Sequence, residues 1–278
     1  MRARFYLAHL FVALSLAPFV SATYGQAAPP NHAKLELIAD QSAFDSARPL
    51  WVGVLFHLDP GWHVYWQNPG DSGTPPRIEW MVPQGFHAGA IRWPIPHRLG
   101  SGSVIDYGYE NQVLLMAPVK APVESAGPAT IGAQVKYVVC REICIPGKAQ
   151  LSISVPPSKD HVEHPSGSRD VFEKAQEQFP KPAPPAWRFS AKQNRDEFQL
   201  IVHGAPIKRA VSFFPLDSGV IDNPAPQKIS AVDGSFSLSL KKSELLTKPV
   251  LMLKGLLDVP GSGTYEIAVP VASDSRSR

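Results

Sequence analysis

Between residues 33 and 157 the chain repeats one theme: short apolar or alternating segments separated by Pro, Gly, Asp and Asn. The pattern predicts strands over Lys34 to Ile38, Leu50 to Leu58, His63 to Trp66, Arg77 to Trp80, Val113 to Val119, Ile131 to Val139 and Ala149 to Val155. Seven strands over about 120 residues suit an immunoglobulin-like sandwich. In the sixth, Ile131, Ala133, Val135, Tyr137 and Val139 fall on one face, so Cys140 is expected to point the other way, free of the core. Pro156-Pro157 and a polar stretch interrupt the pattern. A short helix is expected next, with Asp170 and Glu173 as a capping box and Phe172, Ala175 and Phe179 on one stripe. Pro180, Pro182, Pro184 and Pro185 end it, so residues 158–186 read as a semi-rigid linker. Strand patterns resume over Trp187 to Ala191, Phe198 to His203, Ala210 to Pro215, Ser235 to Leu240, Val250 to Leu257 and Thr264 to Pro270, with Asp233-Gly234 as a hairpin signal. The expected fold is all-β: a sandwich over 33–157, then a second, smaller β-sandwich domain over 187–272.

Composition narrows the class. Twenty-nine prolines and twenty glycines fit an all-β chain. Residues 1–27 read as a secretory signal peptide, with Arg2 and Arg4 before an apolar run from Phe5 to Val20 and small residues at Gly25-Gln26-Ala27; Val20-Ser21-Ala22 is an alternative cleavage site. That run is shorter than the roughly 20 residues that span a bilayer, so no stable membrane insertion is expected and the product is expected to be exported to the periplasm. Without Arg2 and Arg4, the 27 basic side chains fall to 25 against 24 acidic ones, with no long run of either sign. Nucleic acid is therefore not an expected partner. The tail at 273–278 reads as disordered.

The candidate chemistry lies in Tyr137-Val-Val-Cys140-Arg-Glu-Ile-Cys144-Ile-Pro-Gly147, which holds both cysteines of the chain. Closing so short a loop stabilises a fold by only about 2 kcal/mol, against about 4.7 kcal/mol for a loop of about 100 residues. Chemistry explains the pair better than stability. Three intervening residues suit a strand-turn-strand hairpin in which the thiols face each other, giving an attacking and a resolving sulfur. Arg141 would favour a thiolate and Glu142 oppose it. An inert hairpin disulfide in a non-catalytic interaction module stays open as an alternative. So does copper: a Cys-x-x-x-Cys pair with a distant His is the arrangement of the Sco copper proteins, and soft thiolates select Cu(I). Those proteins alternate strands with helices, however, and His57, His63, His87 and His97 show no ligand spacing, while His161 and His164 form only a weak site. No metal site and no cofactor are predicted.

Two further motifs have plainer readings. Five of the six tryptophans lie between Trp51 and Trp93, and core packing is preferred to ligand stacking for Trp62 and Trp66. Gly70-Asp71-Ser72-Gly73 has the look of a protease nucleophile motif but lacks a placed His and Asp, so Asn68 to Gly73 is read as a turn.

Several motifs in order carry a family resemblance: Gly61-Trp-His-Val-Tyr-Trp-Gln-Asn-Pro-Gly-Asp71-Ser-Gly-Thr-Pro-Pro-Arg-Ile-Glu-Trp80, Ile91-Arg-Trp-Pro94, Asp106-Tyr-Gly-Tyr-Glu110 and Val138-Val-Cys-Arg-Glu-Ile-Cys-Ile-Pro-Gly147. Together they resemble the amino-terminal periplasmic domain of the thiol:disulfide interchange protein DsbD, in the variant seen in ScsB-like proteins. The resemblance is strong from Lys34 to Pro157 and weaker in the second β domain. It implies a component of a protein-disulfide reductase that passes electrons to oxidised periplasmic thiol proteins. It also implies that Cys144 forms the mixed disulfide and Cys140 resolves it. A cap loop shields the pair in that family, and the segment matched to it is Asp106, Tyr107, Gly108, Tyr109 and Glu110, with the tyrosines as the gate and the two acids as aids to proton transfer. DsbD has a longer cysteine spacing and continues into a membrane channel and a thioredoxin-like domain. The present 278 residues hold neither, so a separate membrane-embedded thiol reductase is expected as electron donor and periplasmic thioredoxin-like proteins as acceptors.

Overall fold

The computed structural model describes residues 31–273 apart from 101, 125, 126, 159, 161, 207–209 and 233. The expected signal peptide and residues 274–278 of the expected tail lie outside the described residues, as do His161 and Asp233. In chain order the strands are β1 (Ala33–Ala39), β2 (Leu50–Leu58), β3 (His63–Gly70), β4 (Arg77–Met81), β5 (His87–Ala88), β6 (His97–Leu99), β7 (Asp106–Glu110), β8 (Gln112–Lys120), β9 (Ala129–Cys140) and β10 (Cys144–Val155). Helix α1 (Arg169–Glu177) follows, then β11 (Lys181–Pro182), β12 (Arg188–Gln193), β13 (Glu197–His203), β14 (Ser212–Pro215), β15 (Lys228–Val232), β16 (Ser235–Lys241), β17 (Met252–Val259) and β18 (Gly263–Ser273).

Strands β1–β10 build a sandwich. One sheet runs β1-β2-β8-β5; the other runs β10-β9-β3-β7-β6, with β4 pairing β9. Between them lie Val54, Phe56, Val64, Trp66, Leu115, Val135, Tyr137 and Val139. Trp62 and Trp66 belong to this core, so the tryptophan-rich motif packs rather than binds.

Strands β2 and β8 are buried on nearly every residue, unlike ordinary half-exposed antiparallel strands. The cause is α1. Phe172 and Ala175 bury against Leu55, Leu114 and Met116 on the outer face of that sheet. The helix expected within a linker is thus docked on the first sandwich. Its capping box is corrected too: Ser168 is the N-cap, with no side-chain cap bond, and Glu173 pairs with Arg169 one turn back, at 2.9 Å.

The remaining strands form one eight-stranded sheet, β14-β17-β18-β12-β13-β16-β15 with β11 beside β18, wrapped around Phe198, Leu200, Phe213, Phe236, Leu238 and Leu257. The result is an all-β protein of an immunoglobulin-like sandwich and a second β domain. The two share apolar surface, because Leu256 of β17, with Phe214 and Leu216, packs into the first sandwich's core. Tyr107 meets Trp66 and Phe214 edge-on at 6.3 and 5.5 Å between centroids. No helix among the described residues is long and apolar enough to cross a membrane.

Candidate functional site: the β9–β10 hairpin disulfide

Strand β9 ends and β10 begins at directly paired positions, Cys140 opposite Cys144, and the two sulfurs are bonded. Arg141, Glu142 and Ile143 close the turn, with the Arg141 N–H donating to the Ile143 carbonyl at 3.1 Å. The two ends differ in access. Cys144 opens the edge strand and is exposed, whereas Cys140 sits between β10 and β3 and is 3% exposed. Alternation does turn Cys140 away from the Val139 face, but it does not free the sulfur: cross-strand neighbours Cys144 and His63 flank the residue.

The Arg141 guanidinium lies 5.8 Å from the centre of the Trp62 ring, which also stacks on His32 at 3.8 Å. Ile143 at the tip is 64% exposed, an apolar side chain next to the exposed Cys144.

Strand β3 supplies the floor. His63 pairs with Cys140 on one side and Glu110 on the other, and Tyr65 pairs with Gly108, so these positions share the disulfide's face. The Tyr65 hydroxyl is 3.6 Å from Cys144 Sγ and 3.4 Å from Ser72 Oγ. Burial pushes the Tyr65 phenol up, keeping it a protonated donor at neutral pH. Burial pushes the His63 imidazole down, against the opposing pull of Asp106 and Glu110, and its buried Nε2 has no hydrogen-bond partner.

The Gly70–Gly73 turn is folded over Tyr65. Gly73 has φ +70°, and a Cβ there would fall 2.0 Å from Tyr65 Cζ, so the phenol ring and the turn are in closest contact. Asp106 fastens the turn by accepting from the Ser72 N–H at 2.9 Å and from Ser72 Oγ at 2.8 Å. The motif with the look of a protease nucleophile therefore holds its serine on an aspartate as a structural tie.

The expected cap segment is corrected. Asp106–Glu110 is strand β7, paired with β3 and β6, and alternation sends its two tyrosines into the core. Tyr107 is 1% and Tyr109 4% exposed. Tyr107 donates to Asn223 Oδ1 at 3.1 Å and Tyr109 to the Pro94 carbonyl at 2.7 Å. Neither covers the disulfide, so neither gates it. Asp106, Gly108 and Glu110 do share its face, and Gly108 is required there because a Cβ would lie 2.2 Å from the Val64 carbonyl oxygen.

The sequence did not place Tyr65, His63 or Ser72 beside the disulfide. Tyr65 and His63 had a signal in the period-2 alternation of β3, which places them opposite Val64 and Trp66. Among the described residues, no group of three or more His, Cys, Asp or Glu is arranged to hold a metal ion.

A β-sandwich whose edge hairpin carries one buried and one exposed cysteine, followed by a second β domain, defines the class. Residues 34–175 match the family model of the N-terminal region of thiol:disulfide interchange protein DsbD, and the chain belongs to that family. Among solved structures it is similar to the N-terminal periplasmic domain of ScsB from Proteus mirabilis, with TM-score 0.63 and 16% identity over 88% of this chain and 95% of that one. That likeness shows a shared fold. No curated protein matches in sequence.

Proposed function

We propose that the chain is an exported thiol–disulfide exchange module, with the sandwich of residues 33–157 as the redox unit and 187–272 as a supporting domain. The observation that carries the reading is the asymmetry of the disulfide: Cys144 is exposed and Cys140 is buried. Family membership supports exchange as the chemistry.

In the reduced protein, the Cys144 thiolate attacks one sulfur of a partner disulfide. A Cys144–partner bond forms, the partner S–S bond breaks, and the departing sulfur leaves as a thiolate and takes up a proton. Cys140 then gives up its proton and attacks Cys144 Sγ, re-forming the intrachain disulfide and releasing the partner's second thiolate. Two electrons pass to the partner. Burial of Cys140 reserves it for this intramolecular step, and exposed Ile143 gives the partner an apolar contact beside the attacking sulfur. Tyr65 offers a hydroxyl proton to the Cys144 sulfur. Asp106 is committed to Ser72, which leaves Glu110 as the acid free to take part in proton transfer. A membrane-embedded thiol reductase restores the dithiol, and periplasmic thioredoxin-like proteins accept the electrons.

Equilibration with glutathione tests this reading. A potential of roughly −180 to −270 mV is expected, whereas one below about −300 mV would mark a structural disulfide and refute exchange.

A further inference from the structure

The second domain touches the turn that sets Tyr65 against the reactive sulfur. Asn223, 4% exposed, donates from Nδ2 to Asp71 Oδ1 at 2.7 Å and accepts from Tyr107 at 3.1 Å. Asp71 is the second residue of the Gly70–Gly73 turn, and its other oxygen accepts from the Ile105 N–H at 2.8 Å. The next residue, Ser72, meets both Asp106 and the Tyr65 hydroxyl. A path of contacts therefore runs from the second domain to Asp71, along the chain to Ser72, and through the Tyr65 hydroxyl to Cys144 Sγ, joining residues 152 positions apart at its first step. A neighbouring tie fixes the same loop: Asn68 donates to the Pro215 carbonyl at 2.7 Å and accepts from Ser218 at 2.8 Å.

We infer that Asn223 is a positioning residue for Cys144: through Asp71 it holds the turn that aims the Tyr65 hydroxyl at the sulfur, making the second domain part of the redox apparatus. This rests on the exchange reading above and assigns the second domain its part in it. The chemistry is that of one shared proton. Ser72 Oγ spends its own hydrogen on Asp106, so it can only accept from Tyr65. In the oxidised protein the phenol hydrogen is free to serve Ser72 Oγ; when Cys144 becomes a thiolate, the negative sulfur is the stronger acceptor at the same hydroxyl. Loosening the turn releases the ring, whose place is fixed by Gly73 lying on it, and the thiolate loses its donor.

The test is the rate at which iodoacetamide alkylates Cys144 in the reduced full chain at pH 7, read site by site by mass spectrometry. Loss of a hydrogen bond to a charged sulfur lowers the thiolate population about tenfold. The thiolate that remains is more nucleophilic and returns part of this, so Asn223→Ala is expected to react about threefold more slowly. Its pH–rate profile is expected to move to higher pH, a change that a purely structural role would not produce. Tyr65→Phe should show the same fall, and the double variant no further one, because both changes cut one path. Lys241→Ala breaks the 2.7 Å pair with Asp222, next to Asn223, and should keep the wild-type rate. Wild-type reactivity in Asn223→Ala, multiplied losses in the double variant, or an equal loss in Lys241→Ala would each overturn the inference. Should Asn223→Ala fail to fold, Asn223→Ser is read in the same way. Because iodoacetamide needs no partner protein, these rates stand apart from the glutathione titration, which can fail without altering them.

Discussion

Replacing Gly73 by alanine tests the packing of the turn onto Tyr65. At φ +70° an L-residue carries a backbone penalty of about 1 kcal/mol, whatever surrounds it. The new Cβ would also fall 2.0, 2.3 and 2.5 Å from Cζ, Cε2 and Cε1 of Tyr65. That ring is fully buried and cannot swing aside freely, so overpacking adds about 1–3 kcal/mol. Gly261 supplies the control: its φ is +76°, yet a Cβ there meets nothing within 4 Å. Urea denaturation is expected to show a loss of about 2–4 kcal/mol for Gly73→Ala and about 1 kcal/mol for Gly261→Ala, each as a shift in midpoint at constant slope. Equal losses in the two variants would refute the contact between turn and ring.

Phe172→Ala removes the main anchor of α1 and is expected to cost about 3–5 kcal/mol in urea; a loss below 1 kcal/mol would show that the helix is not docked on β2 and β8. His63 has its imidazole pushed below the usual value by burial, so the unfolded chain binds more protons around pH 6.5 and stability should rise with pH through that region and fall on acidification. In His63→Phe this part of the slope should disappear, and an unchanged slope would count against the burial. Burial pushes the Asp40 carboxyl up, although the Trp51 N–H it accepts opposes this, so the folded state holds its proton longer and stability is lost as pH rises from 3.8 through the folded value. Asp40→Asn should therefore be more stable than wild type at pH 7 and gain nothing below about pH 3.8, as followed by thermal melting; equal stability at pH 7 would contradict the assigned cost.

Strands with one buried face were legible in the residues, because alternation is a local signal. Asp106-Tyr-Gly-Tyr-Glu110 had that signal as well: polar ends and tyrosines at alternate positions mark a strand with an inward aromatic face. That alternation turns Tyr107 and Tyr109 into the core, where they do not cover the disulfide as a cap loop would. The docked helix also left a trace, since Leu50–Leu58 and Gln112–Lys120 are apolar on both faces and need cover on both. Cys140 and Cys144 stood out from their spacing, but their unequal exposure depends on which neighbours flank each strand. The ties from Ser72 to Asp106 and from Asp71 to Asn223 join residues 34 and 152 positions apart, and no local pattern encodes such pairs. Two-residue strands such as β5 and β11 are too short to carry a period.

The exchange mechanism is tested most directly by trapping. The reduced full chain carrying Cys140→Ala keeps the exposed sulfur and lacks the buried one that would release a partner. Incubated with oxidised exported proteins, it is expected to accumulate mixed disulfides through Cys144 that dithiothreitol dissolves, while Cys144→Ala accumulates none. Absence of adducts from Cys140→Ala, or equal yields from both variants, would contradict the assignment of Cys144 as the attacking sulfur.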